Sequence, residues 1–408
     1  MSDVVSLLND IRDVGRDPRG PGYMRPGFSS TELNLREWFV GEAQARGLDV
    51  EIDHNGITWA WVTAPGENAV VTGSHLDSVP GGGEFDGPLG VASALAAVDQ
   101  LKADGRLEQL NRPLALAVFP EEEGSRFGVA CLGSRLITGV IEPDRALGLK
   151  DAEGRTFAEV ASEVGLNPDL VGKDKERLSR IGSFLELHVE QGVGLIDIGQ
   201  PVAIGSSIVG HGRWRFTFAG QGNHAGTTPM TKRADPVVAG SQVIGAIPAV
   251  VAGVDGKAVA TVGRTILHPG GTNVIASSMD FWLDIRHPDD GVVGAVLRAI
   301  TQRAQEIGHD LGVEVTVSQE SYSATTHFNS AFNQRLQGVL PEAPILDSGA
   351  GHDAGILAGF VPSAMLFVRN PTGVSHAPEE ACEEDDQRAG VKALADALAM
   401  EAGAVSYT

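Results

Sequence analysis

The chain has 408 residues, 42% of them apolar and 21% charged, which excludes a disordered or fibrous protein and is too long for one ordinary core, so two domains are expected, one inserted in the other. A net charge of −22, from 31 Lys plus Arg against 53 Asp plus Glu, lacks the basic footprint that nucleic acid or an anionic membrane surface requires. Two cysteines, Cys131 and Cys382, in no CxxC or Cys/His spacing, exclude a disulfide framework and are expected as buried thiols.

In chain order, "MSDVVSLLNDIRDVGRD" reads as an amphipathic helix without the basic flank and apolar centre of a signal peptide. "GPGYMRPG" at 20–27 is expected as a surface loop. From 34 to 150, "LREWFVGEAQARG" and "LGVASALAAVDQLKADG" read as helices, and "NAVVTGS" and "PLALAVFP" as strands. Continuous apolar runs between amphipathic helices predict an α/β domain with a doubly wound, mostly parallel sheet, whose ligands gather beyond the carboxyl ends of the strands.

Around 210 the pattern changes to the alternation of "RWRFTFAG", "VATVGRTI", "MDFWLDIRH" and "VEVTVSQESY", with helices at 235–252 and 291–310. This predicts a smaller inserted α+β layer, helices on one face of an antiparallel sheet. The doubly wound pattern resumes after about 325 with "SAMLFVRNP". Residues 1–209 and 325–408 are therefore expected to form a discontinuous catalytic domain, and 210–324 the insertion. The longest apolar run, "VIGAIPAVVAGV" at 243–254, has 12 residues and a proline, short of the roughly 18 a membrane span needs. Cytoplasmic residence is the simplest inference.

The chemistry concentrates where strands end. In "VVTGSHLDSVPGGGEFDGPLGV", His75 and Asp77 at i and i+2 of an extended strand face the same side, so the aspartate can hydrogen-bond the ring of a metal-bound histidine. Asp86 follows after a triple glycine that lets the chain double back. "AVFPEEEGSRFG" ends a strand with Glu121, Glu122 and Glu123 in a row, which is a solvated acidic run or, at the end of a buried strand, a set compensated by a divalent cation. With one glutamate on metal, its neighbour is available as a general base. His188 in "SFLELHVEQG" and His376 in "NPTGVSHAPEE" each read singly as structural histidines. Together, His75, Asp86, Glu123, His188 and His376 form a donor set suited to zinc, manganese or cobalt, with Asp86 able to bridge two ions.

The ordered motifs "GSHLDSV", "GGGEFDGPLGV", "EEEGSRF", "LELHVEQG", "GQGNHAGTTPM", "DIRHPD", "SGAGHDAG" and "GVSHAPEE" span 73–380. On these the sequence resembles the hydantoinase/carbamoylase branch of the binuclear metal-dependent aminoacylase and carboxypeptidase superfamily. That branch holds N-carbamoyl-L-amino acid hydrolases, β-ureidopropionases and allantoate amidohydrolases. The resemblance implies two divalent ions per subunit, with His75, Glu123, His188 and His376 as terminal ligands and Asp86 as the bridge. It implies Glu122 as general base and Asp77 as the partner of His75. The insertion would be the family's lid and dimerisation domain. His224 would polarise the scissile carbonyl, from the other subunit, and Asn273, Arg286, Gln191 and the backbone of Gly351 would hold an anionic ureido substrate. His352 and Asp353 are expected in supporting roles.

The implied reaction is hydrolysis of a ureido C–N bond with release of ammonia and carbon dioxide. Allantoate is favoured by "NGITWAWV", "HGRWRFTFAG" and "AMLFVRNPTGVSHAP", which look like allantoate amidohydrolases. N-carbamoyl-L-amino acids are the alternative substrate, and a non-catalytic binder on the same scaffold is the alternative class.

Overall fold

The computed structural model describes residues 3–403. They divide into two compact units, 3–208 with 327–403, and 209–326. In chain order the first stretch supplies β1 (Asp49–Ile52), β2 (Thr58–Trp61), β3 (Ala69–His75), β4 (Leu114–Phe119), β5 (Ile181–Val189) and β6 (Val202–Ile208). The middle stretch supplies β7 (Gly210–Ala219), β8 (Asn223–His224), β9 (Val259–His268), β10 (Val274–Ile275), β11 (Ser278–His287) and β12 (Glu314–Ser323). The returning chain adds β13 (Thr326–His327), β14 (Ile345–Ser348) and β15 (Ser363–Val368).

The large sheet runs β1-β2-β4-β3-β5-β15-β6-β13, with β14 beside β6. Its centre, β4-β3-β5-β15, is parallel, and β2 and β6 flank it antiparallel. Every residue of β3, β4 and β15 is buried, as strands covered on both faces must be. Alternate side chains serve two cores. Val70, Leu116, Val118 and Leu185 pack under helices Pro88–Ala103 and Glu384–Glu401, while Val71, Ala117, Phe119 and Phe184 pack with Trp59 and Met365 on the other side. This is the doubly wound, mostly parallel architecture expected from the sequence. At Gly73 a Cβ would collide with the Ala117 carbonyl of the adjacent strand, so this approach of β3 to β4 requires glycine.

In the smaller unit the antiparallel order is β12-β7-β11-β9. Phe216, Phe218, Phe281, Leu283 and Ile285 point to one face and form a core with Val243, Ile247, Val296 and Ile300 of helices Pro236–Val254 and Asp290–Leu311. Helix Pro236–Val254 extends well beyond the 12-residue run seen in the sequence. Among the described residues it is the one helix long and apolar enough, by length and composition, to cross a membrane. Its Ala239, Val243, Ile247 and Val251, spaced four residues apart, are buried in this core, the pattern of a helix packed on a sheet.

One expectation fails. Residues 20–27 are not a surface loop, since Gly22, Tyr23, Arg25 and Gly27 are buried. Backbone bonds explain it: Tyr23 N–H donates to Gly82 C=O, Gly81 N–H to Tyr23 C=O, and Ser78 N–H to Arg25 C=O. The segment therefore braces the glycine-rich loop that follows β3. The Arg25 guanidinium lies 4.0 Å over the Tyr23 ring and donates to the carbonyls of Ile11 and Val14. The Pro/Gly composition that read as exposure is here the means of close backbone packing.

Candidate metal centre

The four central parallel strands deliver their carboxyl ends to one place. His75 is the last residue of β3 and is in register with Phe119, the last of β4, after which the chain enters Pro120 and the three glutamates. His188 stands near the end of β5, in register with Phe367 of β15, beyond which the chain loops to His376. Asp86 immediately precedes Gly87, whose φ of +84° starts helix Pro88–Ala103. A Cβ at Gly87 would lie 2.5 Å from the His75 ring, so glycine is needed there on both counts.

Asp86 is shared between two donor groups. Its Oδ1 lies 3.4 Å from His75 Nε2 and 3.3 Å from His188 Nε2. Its Oδ2 lies 3.5 Å from His376 Nε2, which is itself 3.4 Å from Glu123 Oε2. His75, Asp86 and His188 thus form one candidate cation group, and Asp86, Glu123 and His376 a second. The ring orientations suit this use. His75 Nδ1 contacts the Asp77 carbonyl at 3.1 Å and His188 Nδ1 the Val189 carbonyl at 2.9 Å. A carbonyl only accepts, so both rings keep a proton on Nδ1 and leave Nε2 as the atom that faces Asp86. Both Nε2 atoms and Glu123 Oε1 are buried without a hydrogen-bond partner, which a divalent cation would supply. The donor set fits the metal that the sequence implies.

The three glutamates separate by role. Glu121, in a left-handed conformation at φ +54°, accepts from Arg126 and Phe127 N–H through Oε1 and holds the turn. Glu123 faces His376. Glu122 is buried, with Oε2 3.7 Å from His75 Nε2. Burial, together with Asp353, Glu123 and Glu186, holds its carboxyl well above the usual range against the opposing pull of His75. Burial raises Glu123 likewise, helped by Asp86. Burial opposes ionisation of Asp86 too, but His188 and His75 win and hold it well below the carboxylate range. Burial disfavours charge on His75, and Glu122, Asp86 and Asp77 together outweigh that and raise it.

Asp77 corrects the sequence reading. Its carboxylate does not hydrogen-bond the His75 ring, from which Oδ1 is 3.6 Å away. Instead Oδ1 accepts from Glu122 N–H and Oδ2 from Glu123 N–H, each at 3.1 Å. Two adjacent amides match two carboxylate oxygens, and the backbone carbonyl of the same residue meets the ring. Asp77 therefore aligns the glutamate pair.

Gln191 Nε2 donates to Asp86 Oδ2 at 2.8 Å and Ser375 Oγ at 2.9 Å and lies 3.2 Å from His376 Nε2. Gly351 is exposed in the loop after β14. His352 is buried with its ring 4.5 Å from that of His188, and burial together with His188 holds it well below the usual histidine range, so it is neutral. Asp353 accepts from Ser134 Oγ. His224, Asn273 and Arg286 belong to the smaller unit. His224 pairs with Val274, and the Asn273 carbonyl accepts from Ala225 N–H. His224 Nδ1 accepts from the N–H groups of Gly226 and Thr227, which puts the ring proton on Nε2. Arg286 Nε donates to Asp284 at 2.8 Å beside a ≈ 720 Å³ cavity that Arg213, Arg264, Trp282 and Glu320 also line.

Cys131 is the buried thiol expected from the sequence, and that thiol lies 3.3 Å from Glu122 Oε1. Burial raises that thiol well above the ordinary range, so it is protonated and donates. The N–H groups of Cys131, Leu132 and Gly133 pair with the carbonyls of Glu122, Glu121 and Pro120, which locks the two segments together. No local motif marks this contact in the sequence.

Fold and donor set define a metal-dependent hydrolase of the doubly wound class. A family model, peptidase family M20/M25/M40, matches residues 71–400, and the chain belongs to that family. Over 393 residues it is 35% identical to the N-carbamoyl-L-amino acid amidohydrolase of Geobacillus stearothermophilus, covering 95% of each chain. Over 398 residues it is 32% identical to the allantoate amidohydrolase of Escherichia coli (strain K12), covering 94% of each. The solved structure of an amidase of the hydantoinase/carbamoylase family from Burkholderia multivorans aligns with a TM-score of 0.87 at 31% identity, over 98% of this chain and 97% of that one.

Proposed function

We propose that this protein is an amidohydrolase that cleaves the ureido C–N bond of a small carboxylate, using two divalent cations, zinc, manganese or cobalt, held by His75, Asp86, Glu123, His188 and His376. The observation that carries this reading is Asp86, whose two oxygens face two separate donor groups with Glu122 alongside. The cations, when bound, supply Lewis acidity and lower the pKa of water toward neutrality.

The chain's own residues do the rest. Glu122 takes a proton from the attacking water and returns it to the nitrogen that leaves as the C–N bond breaks. The carbamate so released falls to carbon dioxide and ammonia. Burial of Glu122 and its hydrogen bond from Cys131 fix the direction of that carboxyl. The Nε2–H of His224 is a neutral donor suited to the carbonyl oxygen as charge develops there. Arg286 would clasp the substrate carboxylate through its guanidinium fork, with Asn273, Gln191 and the backbone of Gly351 as further contacts. These assignments rest on the motif resemblance.

Allantoate is the substrate favoured by the sequence stretches outside the site. The 35% identity to an N-carbamoyl-L-amino acid amidohydrolase supports the second reading. Ammonia release after loading with manganese or zinc, with both substrates in parallel, decides between them. Turnover of neither, with metal bound, would overturn the ureido class. On either substrate Cys131→Val lowers kcat about three- to tenfold at unchanged KM, and Cys131→Ser, which keeps a donor, restores most of it. Equal kcat in both variants would remove the thiol from the mechanism.

A homodimer through the smaller unit is part of the same reading. Edge strand β9 exposes Val259 and Leu267, and helix Pro236–Val254 exposes Val238 and Val254. Cytoplasmic residence is supported by the two buried free cysteines.

A further inference from the structure

Glu380 lies four residues beyond His376 and is buried. Its Oε1 accepts from two consecutive amides on the other side of the centre, Phe85 N–H at 2.8 Å and Asp86 N–H at 3.0 Å. Its Oε2 is buried without a hydrogen-bond partner. The Glu380 N–H donates to Ala377 C=O, a turn that fixes the carboxylate relative to His376. Gly83, last of the three glycines, makes room for it, because a Cβ there would collide with the Glu380 side chain. One carboxylate therefore couples the loop that carries Asp86 to the loop that carries His376.

The two donor groups are not held equally. His75 and His188 stand on hydrogen-bonded central strands and are buried. His376 is in a loop, with a φ of +57° and a side chain 47% exposed. Whatever fixes the distance from Asp86 to His376 therefore governs the second group more than the first.

We propose that Glu380 is a positioning residue that holds Asp86 in register with His376 and so sets the affinity of the Asp86, Glu123 and His376 group for its cation. The inference rests on the two-cation reading above. What matters is an acceptor oxygen at the right reach. Glutamine keeps that oxygen and places its nitrogen where Oε2 makes no bond, whereas aspartate is one methylene too short to meet both amides.

The test is calorimetric titration of the metal-depleted chain with Mn²⁺, comparing wild type, Glu380→Gln, Glu380→Asp and His376→Ala, with circular dichroism confirming that each is folded. The wild type is expected to bind two ions. Glu380→Gln should bind both within about threefold of wild type, and Glu380→Asp should bind the first normally and the second at least tenfold more weakly, approaching His376→Ala. Two ions at wild-type affinity in Glu380→Asp overturns the proposal and leaves the two-cation reading intact. Equal weakening in Glu380→Gln and Glu380→Asp also overturns it, since charge would then matter and not reach. A wild type that binds one ion removes the two-cation reading, and the proposal with it.

Discussion

Glu122→Gln is expected to bind metal as the wild type does and to turn over substrate about 10³-fold more slowly, the range a general acid-base group contributes. The substitution is close to isosteric, so the bond that the residue-122 N–H donates to Asp77 and the backbone pairing with Cys131 persist. The amide cannot take a proton from water, and the loss falls on kcat with KM little changed. Metal content measured with the kinetics separates this from damage to the site. Unchanged kcat would move the base elsewhere, with buried Asp353 the next candidate. An equal fall in Glu122→Gln and in metal stoichiometry would make Glu122 a ligand.

The doubly wound layer was legible because its interior strands are continuous apolar runs with turn signals at both ends, as in "PLALAVFP". The residues that converge at the centre were legible for a related reason. A histidine or a row of glutamates at the end of a buried strand is costly without a purpose, and His75, His188 and Glu121–Glu123 all sit at such ends. What stayed hidden were contacts between segments far apart in sequence. Glu380 meets Phe85 across 295 positions, and nothing local to either residue announces it. The burial of 20–27 failed for the opposite reason, because proline and glycine in a row signal turns whether the turn is solvated or packed. Asp77 meets the His75 ring through its carbonyl while its carboxylate takes the Glu122 and Glu123 amides, because β3 ends at His75 and strand periodicity no longer sets the face of Asp77.

Removal of bound metal should destabilise the protein in a pH-dependent way. Burial lifts Glu121 and Asp353 to about 8 and Glu380 to about 7. A carboxyl raised above its unfolded value keeps its proton longer in the folded state, so stability falls as pH rises from the unfolded value to the folded one. His75 and His188 are raised as well, each by surrounding carboxylates against burial, and lose stability in the same direction from about pH 6.5 upward. Asp86 is lowered and acts oppositely, but only below its unfolded value near pH 4. Between pH 5 and 8 the metal-free chain should therefore melt at progressively lower temperature. A bound cation displaces the protons of His75, His188 and Glu123 and contributes about 4 kcal/mol at a thousandfold excess over its Kd. The rise in Tm on adding Mn²⁺ to chelated protein should accordingly be larger at pH 8 than at pH 5.5. Scanning calorimetry at both values with and without chelator reads this directly, and a metal-free Tm that climbs with pH would show that the carboxylate cluster is already compensated by the protein itself.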